Sequence, residues 1–145
     1  MSARHARMRR CLWLLLAGMQ PALYAAEVEV RIAGSSATGQ LVCALFGSEA
    51  GFPTDPGAAR RLRATATPGD PICEFHEVPA GQWAVAVLAD ANANGCVDTS
   101  FLGVPTEAWG VSGNLRPSLR APRFSEAAFT LEATQRLALA IKVAE

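Results

Sequence analysis

The chain has 145 residues, which suits one domain, and it contains 13 basic and 13 acidic residues. Four of the basic residues and none of the acidic ones precede residue 27. Residues 27–145 therefore carry nine basic and thirteen acidic side chains, a net charge of −4. This balance argues against a nucleic-acid-binding protein, because such proteins usually carry a basic face. A mildly negative chain is compatible with a site for a cation.

Residues 1–26 have the layout of a secretory signal peptide. Arginines precede a short apolar run, Cys11 to Met19, and small residues that suit cleavage follow at Ala22 to Ala26. The apolar run has about half of the ~20 residues that a membrane-spanning helix needs, and no later run is long enough either. We therefore expect an exported protein, periplasmic or secreted, with a signal peptide at 1–26, one domain at 27–145 and no transmembrane segment in the mature chain.

Three cysteines remain after residue 26. Export implies an oxidising compartment, in which disulfides persist. Cys43 and Cys73 lie in apolar, strand-like segments, and we predict that they form a disulfide bond. Cys96, inside a polar loop, is then left over. The alternative is that all three are unpaired, with Cys43 and Cys73 acting as small buried apolar residues.

Alternation of apolar and polar residues with period two dominates the chain after residue 26. The first strand is predicted at Glu27–Ala33 and the second at Gly39–Gly47, joined as a hairpin by a connection rich in turn-forming residues. A long excursion rich in proline and glycine follows, and residues 60–66 within it form a predicted short edge strand.

Four more strands are predicted, at residues 72–78, 82–89, 125–131 and 135–143, although Ser125 to Ala128 could instead form a single turn with Ser125 as its cap. In the second of these, Trp83, Val85 and Val87 share one face, and small residues on the other face indicate that both faces are covered. Six or seven short strands, with no convincing helical periodicity, predict an all-β fold built as a single β-sandwich.

The segment that follows Asp90 places oxygen-bearing residues at alternate positions, as in the calcium-loop template D-x-[DN]-x-[DN]-G. Its odd positions, one to nine, are occupied by Asp90, Asn92, Asn94, Cys96 and Asp98, with Cys96 offering only its backbone carbonyl. Gly95 stands where the chain must turn sharply. Calcium takes roughly six to eight oxygens from carboxylates and carbonyls, so these residue types suit it.

The template fails at its twelfth position, where Phe101 stands in place of a bidentate glutamate. Glu107 is the nearest residue that can supply another carboxylate from outside the loop. With so few carboxylates we expect a modest affinity for calcium, roughly 10⁻⁴–10⁻³ M, as in extracellular modules. The alternative is a metal-free turn, because Asn and Asp favour turns by bonding to the nearby backbone and Asn-Gly is a common hairpin turn.

Several blocks of the chain resemble a family of exported bacterial proteins, domain of unknown function 2141. The blocks are "LVCALFGSEAGFP", "FHEVPAGQWAVAVLAD", "DANANGCVDTSFLGVPTEAWGVS" and "APRFSEAAFTL". The resemblance covers roughly residues 27–143 and implies an immunoglobulin-like or transthyretin-like β-sandwich of about seven strands. It also places Glu107 and Ser112 in the same motif block as the Asp/Asn loop, which favours a composite calcium site. Cys96 departs from the pattern, since such loops more often carry a polar or basic residue there.

Signals for catalysis or for a ligand are weaker. A Ser-His-Asp triad would need His76, the one histidine after residue 26, together with a serine such as Ser112, and no G-x-S-x-G elbow is present. Trp109 is predicted in a loop. There it either stacks on a sugar ring or, as we favour, plugs the end of the sandwich.

These observations favour a non-enzymatic binding or accessory module, with a protein or carbohydrate as its ligand. The predicted metal site is a structural calcium site, formed by Asp90, Asn92, Asn94, Cys96, Asp98 and Glu107. Two alternatives stay open. One is a small periplasmic hydrolase that uses a carboxylate near the same loop, and the other is a purely structural domain with a metal-free turn.

Overall fold

The computed structural model describes residues 25–34, 40–64, 71–94, 98–101 and 105–144. Within these ranges it contains eight strands, one short α-helix and two 3-10 turns, at Pro56–Ala58 and Ser112–Asn114. The strands are β1 (Ala26–Ala33), β2 (Gln40–Phe46), β3 (Arg61–Ala64), β4 (Ile72–Val78), β5 (Gly81–Asp90), β6 (Trp109–Val111), β7 (Phe129–Leu131) and β8 (Arg136–Lys142). The helix, α1, is Phe124–Ala127. The predicted all-β class is confirmed, with one strand more than the seven expected.

The strands form two sheets. The smaller sheet has the order β4-β1-β8, in which β1 runs antiparallel to β4 and parallel to β8. The larger sheet has the order β3-β2-β5-β6, and β7 also pairs with β5. Strands β6 and β7 share one edge of β5, because β6 pairs with residues 86–88 and β7 with residues 81–83.

The main core lies between the two sheets. Alternate residues of β1 and β5 point into it, among them Val28, Val30, Val85 and Val87, all at most 1% exposed. Trp83 joins the same cluster, as predicted, and its indole Nε1 donates a hydrogen bond to the carbonyl of Pro79 at 2.9 Å. Period-two alternation thus fixes which residues of each strand meet across the sandwich.

A disulfide bond between Cys43 and Cys73 joins the two sheets. Cys43 lies in β2 and Cys73 in β4, the Cα atoms are 6.4 Å apart, and both residues are buried. The predicted pairing is confirmed.

The outer face of the larger sheet carries a second, smaller apolar cluster. Ala84 and Ala86 of β5 lie in it, opposite in register to residues of β2. Phe52 packs edge-on against Phe46 and also against Phe124 of α1. Both faces of β5 are therefore covered, as its small outward residues indicated.

The predicted hairpin between β1 and β2 is wrong, because the two strands lie in different sheets. Their apolar faces meet across the core, with Val30 on one side and Leu45 on the other, so the connection crosses from sheet to sheet. The strand predicted at 125–131 is also shorter, since residues 124–127 form α1. None of the helices that the structure describes is long and apolar enough to cross a membrane.

The signal peptide predicted at 1–26 lies almost entirely outside the described residues. At its predicted end, Ala26 is fully buried and pairs with Val78 as the first residue of β1.

Candidate functional site

The candidate site is the 90–107 loop, which joins the end of β5 to the start of β6. Asp90 is the last residue of β5, pairs in register with Gln40 of β2 and is 2% exposed. The stems of the loop are closed by a backbone bond of 2.8 Å from Ala89 N–H to Ala108 C=O. The loop thus lies at one end of the larger sheet.

The first half of the loop is a tight turn around the backbone N–H of Asn94. That N–H donates to Oδ1 of Asp90 and to Oδ1 of Asn92, each at 3.1 Å. Ala93 between them has φ of 56°, in the left-handed region. Such bonds from Asp and Asn side chains to backbone two to four residues ahead are typical of Asx turns. Two predicted calcium ligands therefore direct oxygens at one point.

Asp98 brings the two asparagine side chains together. Its Oδ2 accepts from Nδ2 of Asn92 at 2.6 Å, and its Oδ1 accepts from Nδ2 of Asn94 at 3.1 Å. Its backbone carbonyl accepts from both the N–H and the hydroxyl of Thr106, at 2.8 and 3.1 Å. Asp98 thereby connects the turn to the returning strand of the loop.

Glu107 connects the two halves of the loop. Its Oε1 accepts from the backbone N–H of Ala91 at 3.0 Å, and its Oε2 accepts from the backbone N–H of Asp98 at 3.3 Å. Glu107 is thus part of the same hydrogen-bonded cluster.

The structure therefore gathers five of the six predicted metal ligands: Asp90, Asn92, Asn94, Asp98 and Glu107. The sixth, Cys96, and the turn residue Gly95 lie outside the described residues. Phe101, at the failing twelfth position, is 97% exposed. Within the described ranges no three Asp, Glu, His or Cys side chains are arranged to hold a metal. The carboxylates of the loop accept hydrogen bonds from carboxamide and backbone N–H groups. Metal binding by these residues stays a prediction.

Ser112 is buried beside the gap between β6 and β7, where it bonds to the backbone of β5 and of α1. Its Oγ accepts from the N–H of Val85 at 3.0 Å and donates to the carbonyl of Ala127 at 2.7 Å. Val85 lies between the part of β5 that pairs with β6 and the part that pairs with β7. The hydroxyl therefore replaces the missing strand partner there. This contact accounts for a serine at this position.

Gly110 lies where β6 passes close to β8. A Cβ atom at this position would be 2.2 Å from the carbonyl oxygen of Lys142 and 2.9 Å from Cγ2 of Ile141. Only glycine fits this approach without moving backbone. The sequence placed Ser112 in the motif block of the loop and offered it as a nucleophile, but it did not predict the structural role of either Ser112 or Gly110.

His76 and Trp109 also have defined surroundings. His76 is exposed on β4 of the smaller sheet, 3.4 Å from Glu27 and 3.6 Å from Glu74. Trp109 is the first residue of β6, not a loop residue, and pairs with Leu88. The guanidinium of Arg116 lies over its ring, 4.9 Å from the centroid, which is cation–π geometry.

A comparison with known protein families identifies the family of this chain. A family described as "Uncharacterized protein conserved in bacteria (DUF2141)" matches residues 30–138. The chain belongs to the DUF2141 family. The match contains both the 90–107 loop and Ser112, so the resemblance in the sequence is confirmed. Neither a curated protein nor a solved structure matches this DUF2141 chain. The immunoglobulin-like or transthyretin-like topology therefore stays a prediction.

One ion pair in this DUF2141 domain gives a prediction for pH. Arg120 donates to both carboxylate oxygens of Glu126, at 2.8 and 2.7 Å, and the backbone N–H of Arg123 donates to the same carboxylate at 2.9 Å. Together these bonds lower the pKa of Glu126 to about 2, and the bonds from Arg120 contribute more than the bond from Arg123. Because this pKa lies below the ordinary value of a glutamate carboxyl, about 4.5, the pair stabilises the fold at higher pH. Its contribution is lost as the pH falls from about 4.5 to about 2.

We expect an NMR titration of the Glu126 carboxyl carbon to show a midpoint near the low value. In an Arg120→Gln variant the midpoint should rise towards the ordinary glutamate value, whereas Arg136→Gln, which removes a pair with Glu27, should leave it unchanged. A wild-type midpoint at the ordinary glutamate value would contradict the pairing.

Proposed function

We propose that this protein is an exported, non-enzymatic binding or accessory module whose 90–107 loop is stabilised by calcium. The observation that carries the proposal is the gathering of five oxygen-bearing side chains in one cluster at the end of β5. The calcium would be structural: it would neutralise the carboxylates and fix the loop.

Charge supports the proposal. Three carboxylates, of Asp90, Asp98 and Glu107, bond to backbone or amide N–H groups of the one loop. Among the residues that the structure describes, neither Asp98 nor Glu107 forms an ion pair, and Asp90 is buried. Like charges held in one loop repel each other, and a divalent cation relieves that repulsion.

The two asparagines allow the loop to exist with or without the ion. In the described geometry their Nδ2 atoms face Asp98. A carboxamide carries a donor at one end and an acceptor at the other, and a half-turn exchanges the two. Asn92 and Asn94 would then offer oxygens, together with Asp90 and Asp98, and Asn92 would give up the bond that its Oδ1 accepts from the N–H of Asn94. Glu107 would keep its bonds to the backbone or join the ligands.

Other contacts support export and a non-enzymatic role. The Cys43–Cys73 disulfide is typical of an oxidising compartment. The groups weighed for a triad are engaged elsewhere, since Ser112 is buried between backbone groups and His76 contacts two glutamates on the other sheet. The hydrolase alternative would instead need a carboxylate of the loop to act on a substrate.

Thermal unfolding of the protein without residues 1–24 tests the proposal, first in excess EDTA and then with calcium up to 10 mM. A ligand that binds only the folded state stabilises it by RT ln(1 + [L]/Kd). A Kd of ~10⁻⁴ M gives ~2.7 kcal/mol at ~10 mM calcium. We expect the midpoint to rise with calcium in the wild type and not in Asp98→Asn. The control Asp55→Asn, which alters a carboxylate bonded to Gly57 in another loop, should keep the full calcium response.

A midpoint that does not move with calcium would refute the calcium proposal and favour the structural domain with a metal-free turn. The hydrolase alternative has a separate readout, because its activity on a panel of chromogenic esters and glycosides should disappear in Asp98→Asn.

A further inference from the structure

The outer face of the larger sheet carries a pocket that the proposed calcium loop does not explain. Its volume is about 320 Å³. The floor consists of Val42 and Ala44 of β2 and, opposite them in register, Leu88 and Ala86 of β5. Two of these four floor positions carry only a methyl group, which leaves space above the sheet.

Proline-rich segments form the walls. On one side stand residues 53–56, which follow β2, and on the other residues 117–122, which precede α1. Pro105 and Trp109 also line the pocket. Proline has a fixed φ angle, so walls of this composition lose little conformational freedom when a ligand binds.

The lining is mostly apolar, and its one charged group is already neutralised. The polar side chains that line the pocket are Thr54, Ser118 and Arg120. Arg120 holds Glu126 through two hydrogen bonds, so its charge is compensated without a ligand. An anionic ligand would have to break that pair, whereas a neutral one would not.

We propose that this pocket binds a compact, neutral, apolar small molecule of two or three rings. The volume lies at the lower end of the roughly 300–1,000 Å³ that small-molecule sites occupy, and the apolar lining with few polar groups matches such sites. The ligand would lie on Ala44 and Ala86, between the two proline-rich walls. Pro105 belongs to the 90–107 loop, but none of the five gathered calcium ligands lines the pocket, so the proposal does not depend on calcium.

The test uses N-phenyl-1-naphthylamine, a neutral probe whose fluorescence rises in an apolar environment, with the disulfide-intact protein in EDTA. Working in EDTA makes the outcome independent of calcium. We expect a saturable rise in fluorescence for the wild type. Ala86→Leu should weaken binding about tenfold or more, because the larger side chain fills volume that the ligand needs. Ala138→Leu makes the same change at an exposed position of β8 and should bind like the wild type.

NMR of the wild type with labelled alanine methyl groups gives a second readout that does not depend on the folding of a variant. Ring-current shifts from the probe should be largest at Ala44 and Ala86. Three outcomes would overturn the proposal: no saturable binding, shifts elsewhere with equal affinity in Ala86→Leu, or a concentration-dependent dimer that the probe dissociates. The last would show that a second copy occupies the pocket, with Leu119, 94% exposed at its rim, as the inserted group.

Discussion

Removal of the Cys43–Cys73 disulfide is expected to lower the free energy of unfolding by about 3–4 kcal/mol. The bond joins the two sheets and links residues 30 apart in sequence, so it restricts the unfolded chain over that length. Both residues are buried, so their replacement by alanine adds a small packing loss. Equilibrium urea unfolding of the wild type and of the Cys43→Ala, Cys73→Ala variant measures the difference.

Reductant supplies the matched control. It should destabilise the wild type by a similar amount and leave the double variant unchanged. A wild type whose urea midpoint is the same with and without reductant would contradict a stabilising role of the bond.

Ser112→Ala is expected to lower the free energy of unfolding by about 2–3 kcal/mol, a large effect for the loss of one oxygen atom. The change leaves the N–H of Val85 and the carbonyl of Ala127 without the hydroxyl that bridges them. Ser112 is 2% exposed, so solvent does not readily replace it, and an unpaired buried polar group costs its full desolvation energy. Urea unfolding measures the loss.

Ser118→Ala removes the same oxygen from an exposed position and should change stability by less than about 0.5 kcal/mol. Hydrogen exchange adds a local readout, since the Val85 amide should lose protection only in Ser112→Ala. Equal stability of the two variants would show that Ser112 does not bridge the sheet.

The face of each strand could be predicted because period two is a local property. In β5, Val85 and Val87 point into the main core and Ala84 and Ala86 point outward, as their alternation indicates. The pairing of Cys43 with Cys73 also followed from their positions in two apolar strands, although an unpaired state was equally compatible with the residue types.

The assignment of strands to sheets could not be predicted, because it depends on contacts distant in sequence. Turn residues after β1 suit a hairpin, yet β1 pairs in parallel with β8, more than a hundred residues later. Strand β6 is only three residues long and contains Gly110, so it has no periodicity of its own. It forms because residues 86–88 of β5 offer an edge to pair with.

The candidate site could also be predicted only in part: its residues could be identified from the sequence, but their contacts could not. Residue spacing identified Asp90, Asn92, Asn94 and Asp98. Glu107 was the nearest further carboxylate along the chain, and the family resemblance supported it. The bonds of Glu107 to Ala91 and Asp98 could not be read from spacing, since they depend on how the loop folds back. Each fixed residue of the motif E-x-x-G-x-S has a structural role. Glu107 connects the two halves of the loop, and Gly110 allows β8 to approach closely. Ser112 links β5 to the carbonyl of Ala127.

The most direct test of the calcium proposal is a crystal structure of the protein, without residues 1–24, grown in 10 mM calcium. We expect density for one ion within roughly 2.3–2.6 Å of oxygens from Asp90 and Asp98, with the carboxamide oxygens of Asn92 and Asn94 turned towards it. A loop without ion density, in which both asparagine Nδ2 atoms still donate to Asp98, would contradict calcium binding by this loop.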